Sequence, residues 1–241
     1  MLRRNLTFVL VVMLLVSTAN AFAEQETPPI YLSGKLGFSL MGASDITNTS
    51  TVAGGVGMTG AGTTRAGVTK ESTSDTVMPI GGAIGYNWAK HGISLRTEME
   101  FLYRTNLGYE ANPTFTNSWS PTKLTSKMTS KTVLFNGYYD FTNTTKFTPF
   151  VGGGIGFSMN NTKTNGSLTN GTSPAEGTKS KTDFAWNVGG GVAYNLTEHI
   201  ILDVTYRYAD LGKAVWQAGT AQLTSNNLYT NEFLFGARYQ F

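Results

Sequence analysis

The chain has no cysteine, so neither a disulfide framework nor a lipid-attached amino-terminal thiol is open to it. Charge is scarce: 14% of the 241 residues are charged, with 18 Lys and Arg against 15 Asp and Glu. Two of the cations, Arg3 and Arg4, lie in an amino-terminal segment without acids, so without it the formal charge falls from +3 to +1. Nothing in that balance resembles the electrostatic footprint of a nucleic-acid binder. Histidine is limited to His91 and His199, which leaves little for a metal cluster or a general base. Beyond the amino-terminal segment, no apolar run reaches the ~20 residues of a spanning helix. A helical membrane protein is thereby excluded. A β-barrel is not, because its strands carry a far weaker hydropathy signal.

What is present begins with Arg3 and Arg4, an apolar run from Leu6 to Val16, and the small-x-small sites Ala19-Asn20-Ala21 and Ala21-Phe22-Ala23. That layout predicts a cleavable secretory signal over 1–23, cut after Ala23 or, as second choice, after Ala21. The remaining 24–241 is the size of one domain, with no linker-like break.

From residue 30 onward the pattern is period-two alternation, the mark of strands with one apolar and one wet face. Eight segments show it. Ile30 to Leu40 sets Ile30, Leu32, Leu36, Phe38 and Leu40 against Tyr31, Ser33, Lys35 and Ser39. Val77 to Trp88, Ile93 to Arg104, Lys127 to Phe141, Phe147 to Met159 and Asp183 to Asn195 follow, then Ile200 to Tyr208 and a last strand from about Tyr229. An even number of segments, roughly ten residues each, predicts an all-β fold: an eight-stranded antiparallel up-and-down transmembrane β-barrel. Short turns follow strands two, four and six; polar segments at about 42–76, 106–126, 160–182 and 209–228 read as long loops. In such barrels short turns face the periplasm, so both termini are expected there and the four loops outside. Tyr86, Trp88, Tyr139, Phe141, Phe147, Tyr194, Tyr239 and Phe241 then form the girdle at the short-turn end.

The runs Leu134-Phe135-Asn136-Gly137-Tyr138-Tyr139-Asp140-Phe141 and Thr148-Pro149-Phe150-Val151-Gly152-Gly153-Gly154-Ile155-Gly156 resemble the signature of the opacity-type surface antigens. Phe184-Ala185-Trp186-Asn187-Val188-Gly189-Gly190-Gly191-Val192 and Asp203-Val204-Thr205-Tyr206-Arg207-Tyr208 continue the likeness. It is strongest from strand four to the end. The final strand, with Gly236, Tyr239 and the terminal Phe241, resembles the closing strand that barrel-assembly machinery reads in outer-membrane proteins. The resemblance implies a Gram-negative outer-membrane barrel whose loops carry function, some relatives being adhesins; it names no ligand.

Inward positions hold Lys35, Arg96, Arg104, Arg207 and Arg238 against Glu98, Glu100, Asp140, Asp203 and Glu232, five of each sign. Counting from the short turns sets Asp203 level with Arg238, puts Arg207 and Glu232 higher on the same pair of strands, and sets Arg96 near Asp140. An eight-stranded barrel has room only for its own side chains, so these ions are expected to pair as a structural lumen network, not to line a wide pore. Two lysines, Lys127 and Lys131, share the outward parity of Val133 and Phe135. A lysine in hydrocarbon costs ~2–4 kcal/mol at the midplane and ~0–1 near the interface, which suggests contact with lipopolysaccharide phosphates, joined by Lys123. A solvated rim is the other reading.

The Gly152–Gly156 run lacks the Lys-Ser/Thr of a phosphate loop and lies within a strand. Both histidines fall in short turns, so no catalytic, metal or cofactor site is expected. The chain reads as a monomer without nucleic-acid partner, in contact with outer-membrane lipid and lipopolysaccharide. Its loops are expected to meet a host or cell-surface ligand, with Phe115, Trp119 and Trp216 either as aromatic anchors or packed on one another at the barrel mouth. The alternative is an envelope-structural barrel or a narrow low-conductance pore.

Overall fold

The computed structural model describes residues 29–48, 71–111, 121–168, 175–218 and 221–241. Ten strand segments form one antiparallel sheet: β1 (Ile30–Asn48), β2 (Glu71–Val77), β3 (Pro79–Asn87), β4 (Leu95–Ala111), β5 (Pro121–Asp140), β6 (Phe147–Leu168), β7 (Ala175–Asn195), β8 (Ile200–Asp210), β9 (Ala214–Ala218) and β10 (Ala221–Gln240). β10 pairs back onto β1, from Tyr31 opposite Gln240 to Asn48 opposite Leu223, and this closes the sheet. β2 and β3 both lie on β1 and are one strand interrupted at Met78; β8 and β9 likewise both lie on β10. The ring therefore has eight strands, closed by the β1–β10 pairing, while β2 and β9 at the long-strand end each pair on one side.

The barrel is inside-out. Leu36, Phe38, Met78, Ile80, Phe135, Ile155, Phe157, Val188 and Phe233 are each more than half exposed on the outer wall, while Arg104, Glu100 and Glu232 are almost wholly buried. Alternation sends the apolar set outward because the solvent of that wall is apolar.

The β2/β3 interruption has a local cause. Pro79 has no N–H for the ladder, and β4 bulges opposite it between Arg104 and Leu107. The Thr105 hydroxyl accepts from the Met78 N–H at 2.9 Å, and the Thr105 N–H donates to the Met78 carbonyl at 3.2 Å.

The strands run far beyond the segments that the alternation marks. Much of 42–76, 106–126, 160–182 and 209–228, expected as loops, is ladder: β6 and β7 stay paired up to Gly166 opposite Ala175. The expected loop 209–228 is largely the β9–β10 hairpin, with Ala218 opposite Ala221. The upper parts of β6 and β7 are built mainly from Thr, Ser, Asn and Lys on both faces, so they pair without an apolar face to betray them.

At Gly212 the chain leaves the wall. Its φ of 73° is a left-handed conformation open to glycine at little cost, and its N–H donates to Asp210 Oδ1 at 2.8 Å. β9 then has β10 on one side and no strand on the other. The carbonyls of the segment leading into β9 and of β9 itself are taken by a row of β6 side chains: Ser158 Oγ donates to Leu211 O (2.5 Å), Asn160 Nδ2 to Lys213 O (3.1 Å) and Thr162 Oγ1 to Val215 O (2.5 Å). Buried carbonyls need such partners, and the row holds β9 across the mouth.

Candidate functional site

The lumen is filled in two tiers. The lower tier is ionic. Arg96 Nε meets Asp140 Oδ2 at 2.6 Å, and Arg96 Nη1 lies 3.6 Å from Glu98 Oε1. Lys35 Nζ bridges Glu98 and Glu100 at 2.6 and 2.7 Å. Arg207 joins Glu100 (2.7 Å) to Glu232 (2.7 Å), and Arg104 closes on Glu232 at 2.6 Å. Asp140, Arg96, Glu98, Lys35, Glu100, Arg207, Glu232 and Arg104 thus form one chain of strictly alternating sign. Arg238 and Asp203 make a separate pair at 3.1 Å. All ten inward charges expected from sequence are in ion pairs; Arg207 stands opposite Glu232, whereas Asp203 stands opposite Gly236, not level with Arg238, and the two ions pair on the diagonal.

Neutral partners supply further hydrogen bonds, although Arg96 Nη2, Arg207 Nη2 and Asp140 Oδ1 are buried without a hydrogen-bond partner among the described residues. The Tyr31 hydroxyl donates to Glu98 (2.8 Å), Arg104 Nη1 donates to the Thr132 hydroxyl (3.0 Å), and Ser39 bonds both Thr230 and Glu232. The Arg96 guanidinium also lies over the rings of Tyr138 (4.9 Å) and Phe150 (5.0 Å), which meet edge to face. None of these helpers has a charge to announce it; only their inward parity and the glycines opposite them could have found them.

Lys35 on β1 reaches β4 across β3 because β3 presents Gly81, Ala83 and Gly85 inward. Gly85 leaves room for Tyr31: a Cβ on it would stand 2.2 Å from Tyr31 Cζ, so a larger residue must push the ring aside.

The upper tier is apolar. Met41, Ile46, Val77, Leu107, Met128, Leu211, Trp216 and Leu228 are buried together above the ions. Trp216 is 1% exposed, so of its two readings it follows packing at the mouth and not the exposed anchor; the Gly212 turn carries it there, where indole burial is more favourable than contact with water. Phe115 and Trp119 lie outside the described residues. Below the ions, at the short-turn end, an open vestibule of about 790 Å³ is bordered by Arg96, Asp140, Lys146, His199 and Arg238.

The other expected site residues lie on the wall. Lys127 is exposed and Lys131 half-buried on the outer face of β5; Lys123 is in β5, its side chain outside the described residues. Tyr239 and Phe241 meet edge to face at 5.2 Å at the end of β10, while Gly236 lies against Asp203. His91 and His199 stand at the short-turn end, against Tyr86 and Tyr239 respectively.

A closed barrel with an apolar outer wall and a self-paired ionic core agrees with the sequence family described as the outer membrane protein beta-barrel domain, which matches residues 8–241. The chain belongs to that family. It is an integral outer-membrane barrel. It is 27% identical to outer membrane protein PagN of Salmonella typhimurium over 252 residues, 99% of this chain and all of that one. A shorter match, 32% identical over 96 residues and 36% of each chain, is to a Rickettsia conorii protein, RC1281, named as a candidate adhesin. Among solved structures, Neisserial surface protein A aligns over 90% of this chain and all of its own, at 18% identity and a TM-score of 0.47.

Proposed function

We propose that this barrel is a cell-surface adhesion protein: a rigid stand that carries its long-strand end out of the membrane to meet a host or cell-surface ligand. The short-turn end and both termini face the periplasm in this reading, and residues 1–23 are removed on export. The observation that carries it is the closed lumen. Five ion pairs' worth of balanced charge and an apolar cap fill the interior, so the outward end is the surface left for interaction. The segments 49–70, 112–120 and 169–174 contribute a Gly-, Thr- and Asn-rich sequence there, suited to adaptable recognition. The candidate adhesin among the relatives supports the same reading. Catalysis has no place in it, because both histidines belong to the periplasmic turns. The protein acts as a monomer whose assembly is read from Gly236, Tyr239 and Phe241 by the barrel-assembly machinery.

The test is a surface-display assay. A non-adherent bacterial host displaying the full chain should bind cultured epithelial cells or extracellular matrix. Replacing 49–70 and 169–174 with short Gly-Ser linkers should abolish binding while the barrel keeps its heat-modifiable migration. Equal adherence by the replaced form would refute the reading.

A further inference from the structure

Residues on the outer wall of β5 and β6 form a surface that the closed lumen and the adhesive end leave unexplained. Lys127 on β5 and Lys163 on β6 stand directly opposite one another in register, both exposed on the outer face. They cannot slip apart: Ser126 Oγ, one residue away on the inner face, donates to the Lys163 carbonyl at 3.1 Å and bonds the Thr164 hydroxyl at 3.0 Å. Like charges directly opposite on a sheet destabilise the pair. Among the described residues neither lysine has an ion-pair partner, and Glu176, diagonal to Lys163 across β7, makes none with it. Lys131 lies four residues below Lys127, about 13 Å along the strand at roughly 3.3 Å per residue, between its register neighbours Tyr103 and Met159. The next outward row down is Phe101, Val133, Phe157 and Phe184, the top of the apolar belt. A ladder of three cations thus climbs from the edge of the belt.

Directly beneath, on the same two strands, the wall is hollow. Gly137 of β5 faces Gly153 of β6 on the outer side, and an open depression of about 580 Å³ lies there between Phe135, Ile155, Phe184 and Trp186. A Cβ on Gly137 would meet nothing within 4 Å. Lys131 to Gly137 is six residues, about 20 Å along the strand, within the reach of a long acyl chain.

We propose that this face holds one molecule of lipopolysaccharide. Its phosphates and inner-core acids neutralise Lys131, Lys127 and Lys163, and one acyl chain lies in the Gly137–Gly153 hollow. Cations above and an acyl-sized hollow below, on one face, fit a phosphorylated lipid of the outer leaflet and neither alone would specify it. The assignment rests on the proposed orientation, with the long-strand end outside.

The experiment is native mass spectrometry of the full mature chain, folded in detergent and mixed with bisphosphorylated lipid A. Wild type should retain one lipid A; the Lys127→Glu/Lys131→Glu/Lys163→Glu variant should lose it while remaining heat-modifiable. Lys127→Gln/Lys163→Gln removes the charge without reversing it and serves if the reversal does not fold. Gly137→Leu, for which there is room, should fill the hollow and weaken retention with all lysines in place. Equal retention by the charge variants, or equal retention of dephosphorylated lipid A or of phosphatidylglycerol by wild type, would overturn the assignment. Orientation is read separately: Ser74→Cys, in a chain free of other cysteines, is exposed on β2 and should react with an impermeant maleimide on intact cells. No labelling there would overturn the orientation; labelling with unchanged lipid A retention would overturn the lipid site alone.

Discussion

Glu232 holds two guanidinium groups at once, Arg104 at 2.6 Å and Arg207 at 2.7 Å, with all three side chains almost wholly buried. Removing one partner from such a group leaves uncompensated charge where no water can screen it, a loss of about 3–5 kcal/mol. Glu232→Ala should therefore lower the temperature at which the folded, fast-migrating band disappears more than any substitution on the outer wall. Arg238→Ala leaves Asp203 unpaired too, but Arg238 borders the vestibule, so its removal opens the orphan to water. Its loss should be real and smaller. If the two variants melt together with wild type, the ion pairs contribute nothing to stability. Gly85→Val tests the packing beneath the ions: the new side chain displaces Tyr31 from Glu98, and overpacking of this kind costs about 1–3 kcal/mol. A melting temperature unchanged from wild type would show that Tyr31 can move aside freely.

At the level of elements, the last strand closes the ring, and its end is tied on both sides: the Gln240 N–H donates to the His199 carbonyl at 2.8 Å and the Phe241 N–H to the Ile30 carbonyl at 3.3 Å. Deleting Phe241 should cut the amount of protein recovered in the outer-membrane fraction, yet leave the purified chain able to fold in detergent. Normal recovery from membranes would contradict an assembly role for the terminal aromatic. The same elements show what a sequence can reveal. Between Ile30 and Leu40 or Phe147 and Met159, lipid and lumen demand opposite chemistries on alternate residues, so parity is plain. Tight turns then fix the register closely enough that counting paired Asp203 with Arg238, although the two stand two residues out of line and meet diagonally. Above the belt the contrast ends. Around Thr125-Ser126-Lys127 both faces are polar, and the strand continues without a signal. β9 was hidden for another reason: its inward course depends on the single left-handed turn at Gly212 and on β6 side chains remote in sequence. The Lys35 bridge was equally illegible, because it spans a strand whose only contribution is to be small.

On the scale of the whole molecule, the outer wall answers to lipid, the interior answers to itself, and the proposed function leaves the long-strand end for recognition. The interior is the part on which the rest depends. Were it a water-filled path, the charges would line a conduit and the barrel would be a transporter first. The most direct test is the current carried by the purified, folded chain in a planar lipid bilayer under an applied voltage. With an alternating ion-pair chain sealed by Met41, Met128, Leu211 and Trp216, no steady conductance is expected, and Trp216→Ala alone should not open one because the ions below remain. A reproducible, long-lived channel of large conductance from the unaltered protein would contradict the closed-lumen account.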